Sequence, residues 1–422
     1  MRQKSIFPGK PILFLAVLWL ALPGRLTVAD DADALVARIA QLGGHIVRSE
    51  SGEIVAIDLA NRPTGDEDLR LLAAAPHLQK LVVWGAGVTD VGVDHLAQLK
   101  NLAELTLENT LVTDAGLAKL APLAKLKSLN LQRATGITDE GLAHVAKLPE
   151  LTYLVLLYTK IGDPGMMHLA RAKKLRLLDA RGCKISDAGL AHLAPLSGLV
   201  ALKLRTAAVT DAGVVHLRSM KRLRGLALED SKVTDAGLAN LAGLTELDDL
   251  NLMRCSISDN GLAHLSKLTK LRILFLRATY VSGDGLVHLR DLKQLRKLDL
   301  SETTASDDGL RHLAGMNELV WLNLWNTMVG SGGAEHLAKL KKLLYLNLDN
   351  TGTDDEALKQ IATLPQLGTL TLNETGVTDE GLVHLEPCRS LKKLELRLTA
   401  VSEEGVEKLK AAIPSLEVAY DE

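Results

Sequence analysis

The chain has 422 residues, 47 % of them hydrophobic but only 3 % aromatic, with 49 basic and 51 acidic side chains and three cysteines. A single globular core does not grow to this length, and a core so poor in rings must be aliphatic, as in proteins built from repeats. The net charge of -2 argues against nucleic acid as a partner, and three scattered cysteines exclude a disulfide scaffold.

At the N-terminus, Arg2, Lys4 and Lys10 flank the start of an apolar stretch, Pro11 to Leu22, that runs on to the small-residue end Thr27-Val28-Ala29. This is the pattern of an export signal over residues 1–29. Its loss would take the charge to -6. The apolar run is too short for a stable membrane span, so an extracytoplasmic chain, periplasmic or secreted, is expected. An anchor formed by an uncleaved N-terminal helix is the second possibility. Asp31 to Leu42 has helical apolar spacing, and residues 30–53 are expected to cap the N-terminal end of the core built by residues 54–414.

From Ile54 onward a 24-residue period governs the chain. Leu199, Leu223, Leu247, Leu271, Leu295 and Leu319 are evenly spaced, each opening a Leu-x-x-Leu-x-Leu unit. The series runs back to Ile54 and on to Leu391, with one extra residue between Leu126 and Leu151. Alternation in units such as Leu247 to Leu252 predicts a strand with Leu250 and Leu252 inward and Asp249, Asn251 and Met253 outward. Eight residues after the opening position stands Thr110, Thr279 or Thr303, where a hydroxyl can satisfy backbone as the chain leaves the sheet. Cys183 and Cys255 share that slot, and Cys388 replaces a core leucine, so all three read as buried thiols. The second half of each unit predicts a short helix. Thr113 is its N-cap, Asp114 favours the helix dipole, and Val112 with Leu117 forms a hydrophobic staple. Pro122, Pro195 and Pro387 mark helix ends.

This pattern resembles the leucine-rich repeat family over residues 54–414, about fifteen repeats, with 415–422 as a C-terminal cap. The resemblance implies an α/β solenoid, a horseshoe with a parallel sheet on the concave face and short helices on the convex face. The Val-Thr-Asp-Ala-Gly-Leu ending at Val233 to Leu238 is similar to bacterial exported members and to the arrays of F-box substrate receptors. No F-box is present, because residues 30–53 are too few to hold one, and this weakens a ubiquitin-ligase reading.

Ten histidines, His95 and His144 among them, fall at one repeat position, and aspartates such as Asp90 and Asp114 form another column. Both read as structural. The histidine slot also accepts Lys119, Asn240 and Gln360, which a metal site would not, and each aspartate is explained by its helix start. Gly330-Ser331-Gly332-Gly333 is a degenerate helix start rather than a phosphate loop. Asn373-Glu374-Thr375 is a sequon, meaningful only in a eukaryotic secretory pathway. No enzyme, metal or cofactor is therefore expected.

The outward strand positions carry the functional signal. Of nine aromatics beyond residue 29, six occupy these columns: Trp84, Tyr153, Phe275, Trp321, Trp325 and Tyr345. The densest group joins Trp321, Asn323, Trp325 and Asn326 to Tyr345, Asn347, Asp349 and Asn350, with Phe275 and Arg277 nearby. Aromatic anchors with an amide rim suit a protein partner, and a polysaccharide or envelope glycan is the alternative. A second group, Asp179, Arg181, Lys203 and Arg205, is charged and mixed.

Overall fold

The computed structural model describes residues 28–421. The expected export signal lies, up to residue 27, outside the described residues. Among those described, no helix is long and apolar enough to cross a membrane.

Seventeen strands form one sheet. Helix α1 (Val28–Gln41) leads into β1 (His45–Arg48), which pairs antiparallel with β2 (Ile54–Gly65). The helix buries Leu35 and Ile39 over the first repeat. The sequence pointed to this helix; the antiparallel edge strand had no periodic signal to reveal it. From β2 onward every strand pairs in parallel with the next in chain order, so that Leu250 stands opposite Leu226 on one side and Leu274 on the other. The C-terminal residues, expected as a cap, include the parallel strand Glu417–Ala419, which continues the sheet beside Lys393–Glu395. The residue inserted after Leu126 is absorbed in the loop that precedes the helix Asp139–Val145, leaving the strand Ser128–Asn130 in register.

The repeat's chemistry explains this order. In the unit from Leu247, the side chains of Leu247, Leu250, Leu252, Ile257, Leu262, Leu265 and Leu268 are all fully buried and form one layer of a continuous core. Helices of four to seven residues, such as Asp235–Leu238 and Asp187–Leu193, are too short to be stable alone and are held by this packing. Strands stack about 4.8 Å apart while helices need about 10 Å, so the array curves with the sheet on its concave side.

Two ladders of bonds run along the strand ends, one within each repeat and one between repeats. The threonine slot behaves as expected: Thr279 Oγ1 donates to the Leu276 carbonyl at 2.6 Å and Thr303 Oγ1 to that of Leu300 at 2.6 Å. Cys183 and Cys255 fill the same slot but bond the preceding repeat, at 3.1 Å to Leu156 O and 3.0 Å to Leu228 O. One residue earlier, twelve non-glycine positions, including Ala278, Asn326, Asn350 and Leu398, adopt left-handed backbone with φ of 50–57°. That turn aims the N–H at the next repeat, as when Asn326 N donates to Asp349 O at 2.9 Å, and after the last repeat Leu398 N donates to Asp421 Oδ2 instead.

The aspartate column requires a correction. The helix dipole alone does not account for it, because each carboxylate reaches forward to the next repeat's helix cap. Asp211 accepts from Thr234 N at 2.8 Å and from Thr234 Oγ1 at 2.6 Å, and Asp90 does the same for Thr113. The glycine three residues into the next helix leaves room for that carboxylate: a Cβ at Gly237 would overlap Asp211 Oδ1. The histidines of the other column are half-buried on the helix faces, and Asn240 in that column is buried, donating to Ala236 O at 3.1 Å. That position is thus less solvated than the sequence suggests.

Candidate binding surface on the concave sheet

Strand register brings the expected aromatics together. Phe275, Asp299 and Asn323 face one another on three consecutive strands, and Trp321 stands directly opposite Tyr345 on the next pair. The indole of Trp321 stacks on the Tyr345 ring, centroids 5.2 Å apart and planes 9° from parallel. Phe275 meets Trp321 edge-on at 6.0 Å and 61°. All three rings are half-buried, and burial pushes the Tyr345 phenol up.

Further along the same strands, Arg277 lies over the Trp325 ring, its Cζ 4.8 Å from the centroid, while its Nε donates to Glu302 Oε2 at 2.8 Å. The pair holds the guanidinium in place, and the bond to Glu302 raises the Arg277 pKa and lowers that of Glu302. This ring, cation and carboxylate group is therefore set before any partner arrives.

The amide rim differs from the expectation. Asn323 Oδ1 accepts from Trp325 N at 3.1 Å and Asn347 Oδ1 from Asp349 N at 2.8 Å, so these side chains close their own strand ends. Asp349 Oδ1 accepts from Asn373 N at 2.7 Å, and Asn350 Nδ2 donates to Asn326 Oδ1 at 2.9 Å. Asparagine suits these places because it tolerates the left-handed turn and bonds local backbone. Much of the polar capacity assigned to a ligand is thus already spent on the fold.

Sequence reasoning passed over Asp299. It is buried between Phe275 and Asn323 and accepts from Ser301 N at 3.0 Å and Ser301 Oγ at 2.6 Å, yet burial outweighs those bonds and pushes its pKa up. Reading down the fifth position of successive repeats, outward between the two core leucines, would have found it. Trp84 and Tyr153 remain apart from this cluster: Trp84 pairs with Pro63 and Glu108, and Tyr153 stands exposed beside Ser128 and Leu177. Three of the four residues in the second group form ion pairs, one of them to Asp230 outside it. Arg181 binds Asp179 at 2.7 Å, and Asp230 takes both Arg205 at 2.5 Å and Arg254 at 3.1 Å. Among the described residues, no group of three or more His, Cys, Asp or Glu is placed to hold a metal ion.

Residues 162–418 match the family described as a leucine-rich repeat region, and residues 123–146 match a leucine-rich repeat. No curated protein sequence matches the chain at a significant level. Among solved structures, an internalin from Listeria monocytogenes is 22 % identical, with a TM-score of 0.55 over 93 % of this chain and 94 % of its own. The ectodomain of the Arabidopsis thaliana receptor kinase GASSHO1/SCHENGEN3 is 16 % identical, with a TM-score of 0.52 over 89 % of this chain and 51 % of its own. The functional domain of InlJ from Listeria monocytogenes is 17 % identical, with a TM-score of 0.52 over 86 % and 69 %. At these identities the likeness is one of fold.

Proposed function

The chain belongs to the leucine-rich repeat family, and on that premise we propose that it is a non-enzymatic binding scaffold that holds another protein against its concave face outside the cytoplasm. The ring cluster of Phe275, Trp321 and Tyr345, extended by Arg277 over Trp325, carries this reading. Half-buried rings locked against one another lose little entropy on binding, which is the property of interface anchors. The receptor-kinase ectodomain of similar fold was solved in complex with CASPARIAN STRIP INTEGRITY FACTOR 2. Export is supported by the basic and apolar N-terminal segment. Binding rather than catalysis is favoured because both titratable columns already have structural roles, the aspartates in caps and the histidines packed on helix faces.

A protein is favoured over a glycan by the ring geometry. Stacking on a sugar needs an open ring face, and one face each of Trp321, Tyr345 and Trp325 is already taken, by the partner ring or by Arg277, which leaves less platform for a glycan.

Capture of the partner by the full-length mature protein from its native envelope, identified by mass spectrometry, supplies the ligand for calorimetry. Replacing Trp321 and Tyr345 together with Ala should weaken binding by more than about 2 kcal/mol while the melting temperature moves little. An unchanged affinity places the contact elsewhere, and binding of an envelope glycan that the Trp321 and Tyr345 replacements abolish, with no protein captured, favours the alternative.

A further inference from the structure

Because all strands after the first run in parallel, every loop from helix to strand lies on one lateral edge of the array and every loop from strand to helix on the other. The two edges carry opposite charge. In the fourteen helix-to-strand loops between residues 73 and 392, the five positions before the opening apolar residue and the one after it hold 23 basic and six acidic side chains. A fifth of the chain thus carries nearly half of its cations. On the other edge, the fifteen seven-residue segments from 63–69 to 400–406 hold 22 acidic and three basic side chains. The near-neutral total conceals this separation.

The two edges are not equally available. Aspartates of the acidic edge are engaged by the helix caps of the next repeat, as Asp187 is by Thr210 and Asp235 by Ser258. Cations of the basic edge are open to solvent: all 23 are exposed except Arg176, which is half-buried. Some meet a neighbouring carboxylate, as Lys174 does Glu150 and Lys270 does Glu246. Arg272, Arg296 and Lys297 enter no ion pair among the described residues, and they line a cleft of about 310 Å³. Two more clefts on this edge, of about 340 and 210 Å³, are lined by Lys125 with Lys127 and by Lys147 with Arg171 and Lys173.

We propose that this basic edge is a second binding surface, distinct from the concave ring cluster, and that its ligand is a linear acidic polysaccharide lying along the repeats. The cation clusters at 171–176, 218–224 and 267–272 alternate with loops at 194–200 and 242–248 that contain no cation. From 171 to 272 clusters thus recur every second repeat, about 10 Å apart at the strand spacing, which is the length of a disaccharide unit, and the adjoining loop at 290–296 adds Arg290, Lys293 and Arg296. A polymer with one carboxylate per disaccharide would meet a cluster at each acid group. The loops contain no aromatic ring, so nothing offers a stacking platform for nucleobases. A flat lipid surface would not reach into the clefts. A second copy's acidic edge is a poor match, because most of its aspartates are already held by helix caps within their own array.

The test measures binding of the mature protein to hyaluronan, with dextran, duplex DNA and phosphatidylglycerol vesicles in parallel. Hyaluronan should bind and dextran should not, and the affinity should fall as salt is raised. Arg222→Glu, Arg272→Glu and Arg296→Glu together should weaken hyaluronan binding by about tenfold or more. Lys160→Glu, Lys184→Glu and Lys232→Glu, the same change in net charge on the opposite edge, should leave it nearly unchanged. If the first variant melts early, the corresponding triple Gln variant replaces it. Failure to bind hyaluronan, equal loss in both variants, or tighter binding to DNA or vesicles overturns the proposal. So does self-association of the wild type that the basic-edge variant abolishes.

Discussion

At the residue scale, the link between Asp379 and Gly405 shows how one repeat restricts the next. Asp379 accepts from Ser402 N at 2.8 Å and from Ser402 Oγ at 2.5 Å, and a Cβ at Gly405 would overlap its carboxylate and nothing else. Gly405→Ala should therefore cost about 1 to 3 kcal/mol as overpacking. In an Asp379→Ala background that cost should largely vanish, and a double-mutant cycle by chemical denaturation reads the coupling. Additive losses would mean that the glycine is needed for another reason. Asp299 makes a different kind of prediction. Burial raises its folded pKa above the ordinary aspartate value, so its ionised form opposes folding at neutral pH. Asn can keep both bonds from Ser301 without the charge, so Asp299→Asn should match or exceed the wild type in thermal melts at pH 7. As the pH falls through the raised folded value towards the ordinary one near 3.9, the wild type gains on the variant and the advantage shrinks. A variant that is less stable at pH 7 than at pH 4, relative to wild type, would show that the carboxylate is stabilising.

At the scale of the element, strand and helix contribute unequally. Leu250 is fully buried between Leu226 and Leu274, and truncation to Ala leaves a cavity within rigid neighbours. A loss of about 2 to 5 kcal/mol is expected. Asn240 is also buried, but at the helix surface, and Asn240→Ala removes one bond to Ala236 O along with its donor. Its cost should be only about 0.5 to 1.5 kcal/mol, and equal losses in urea titrations would refute the assignment of faces. Both elements were legible because period 2 and helix-cap signals sit at fixed offsets in each repeat. The direction of the aspartate bonds was not legible, since an acid in the first helical turn has a sufficient local explanation and its partner lies 23 residues away. Left-handed backbone at Ala278 and Tyr158 was equally hidden, because those residues ordinarily avoid it and the N–H bond to the next repeat, to Ser301 O and Arg181 O, offsets the strain.

At the scale of the whole molecule, stability is carried between neighbours. Each strand pairs only with adjacent strands, and helices pack on those of the adjoining repeats. Deleting residues 247–270, one complete period, should rejoin equivalent positions and leave a folded array with a slightly lower melting temperature. Circular dichroism would show retained structure. Collapse of the fold would show that this repeat holds contacts beyond its neighbours. The same architecture turns a weak compositional fact into a surface property, because equivalent loops stack on one edge and their small biases add.

The sequence by itself determined the solenoid, the inward and outward faces of each strand, the helix caps and the columns that present aromatics, since all of these depend on spacing within one repeat. Tertiary structure decided what those columns do together. Stacking placed Trp321 against Tyr345 and Arg277 over Trp325, turned the asparagine side chains back onto their own backbone, buried Asp299, and drew cations from distant loops into one edge. The physical reason is that a repeat pattern specifies the environment of a position. Contacts between repeats depend on which residues successive turns bring side by side across the strand spacing, and the local period carries no record of that pairing.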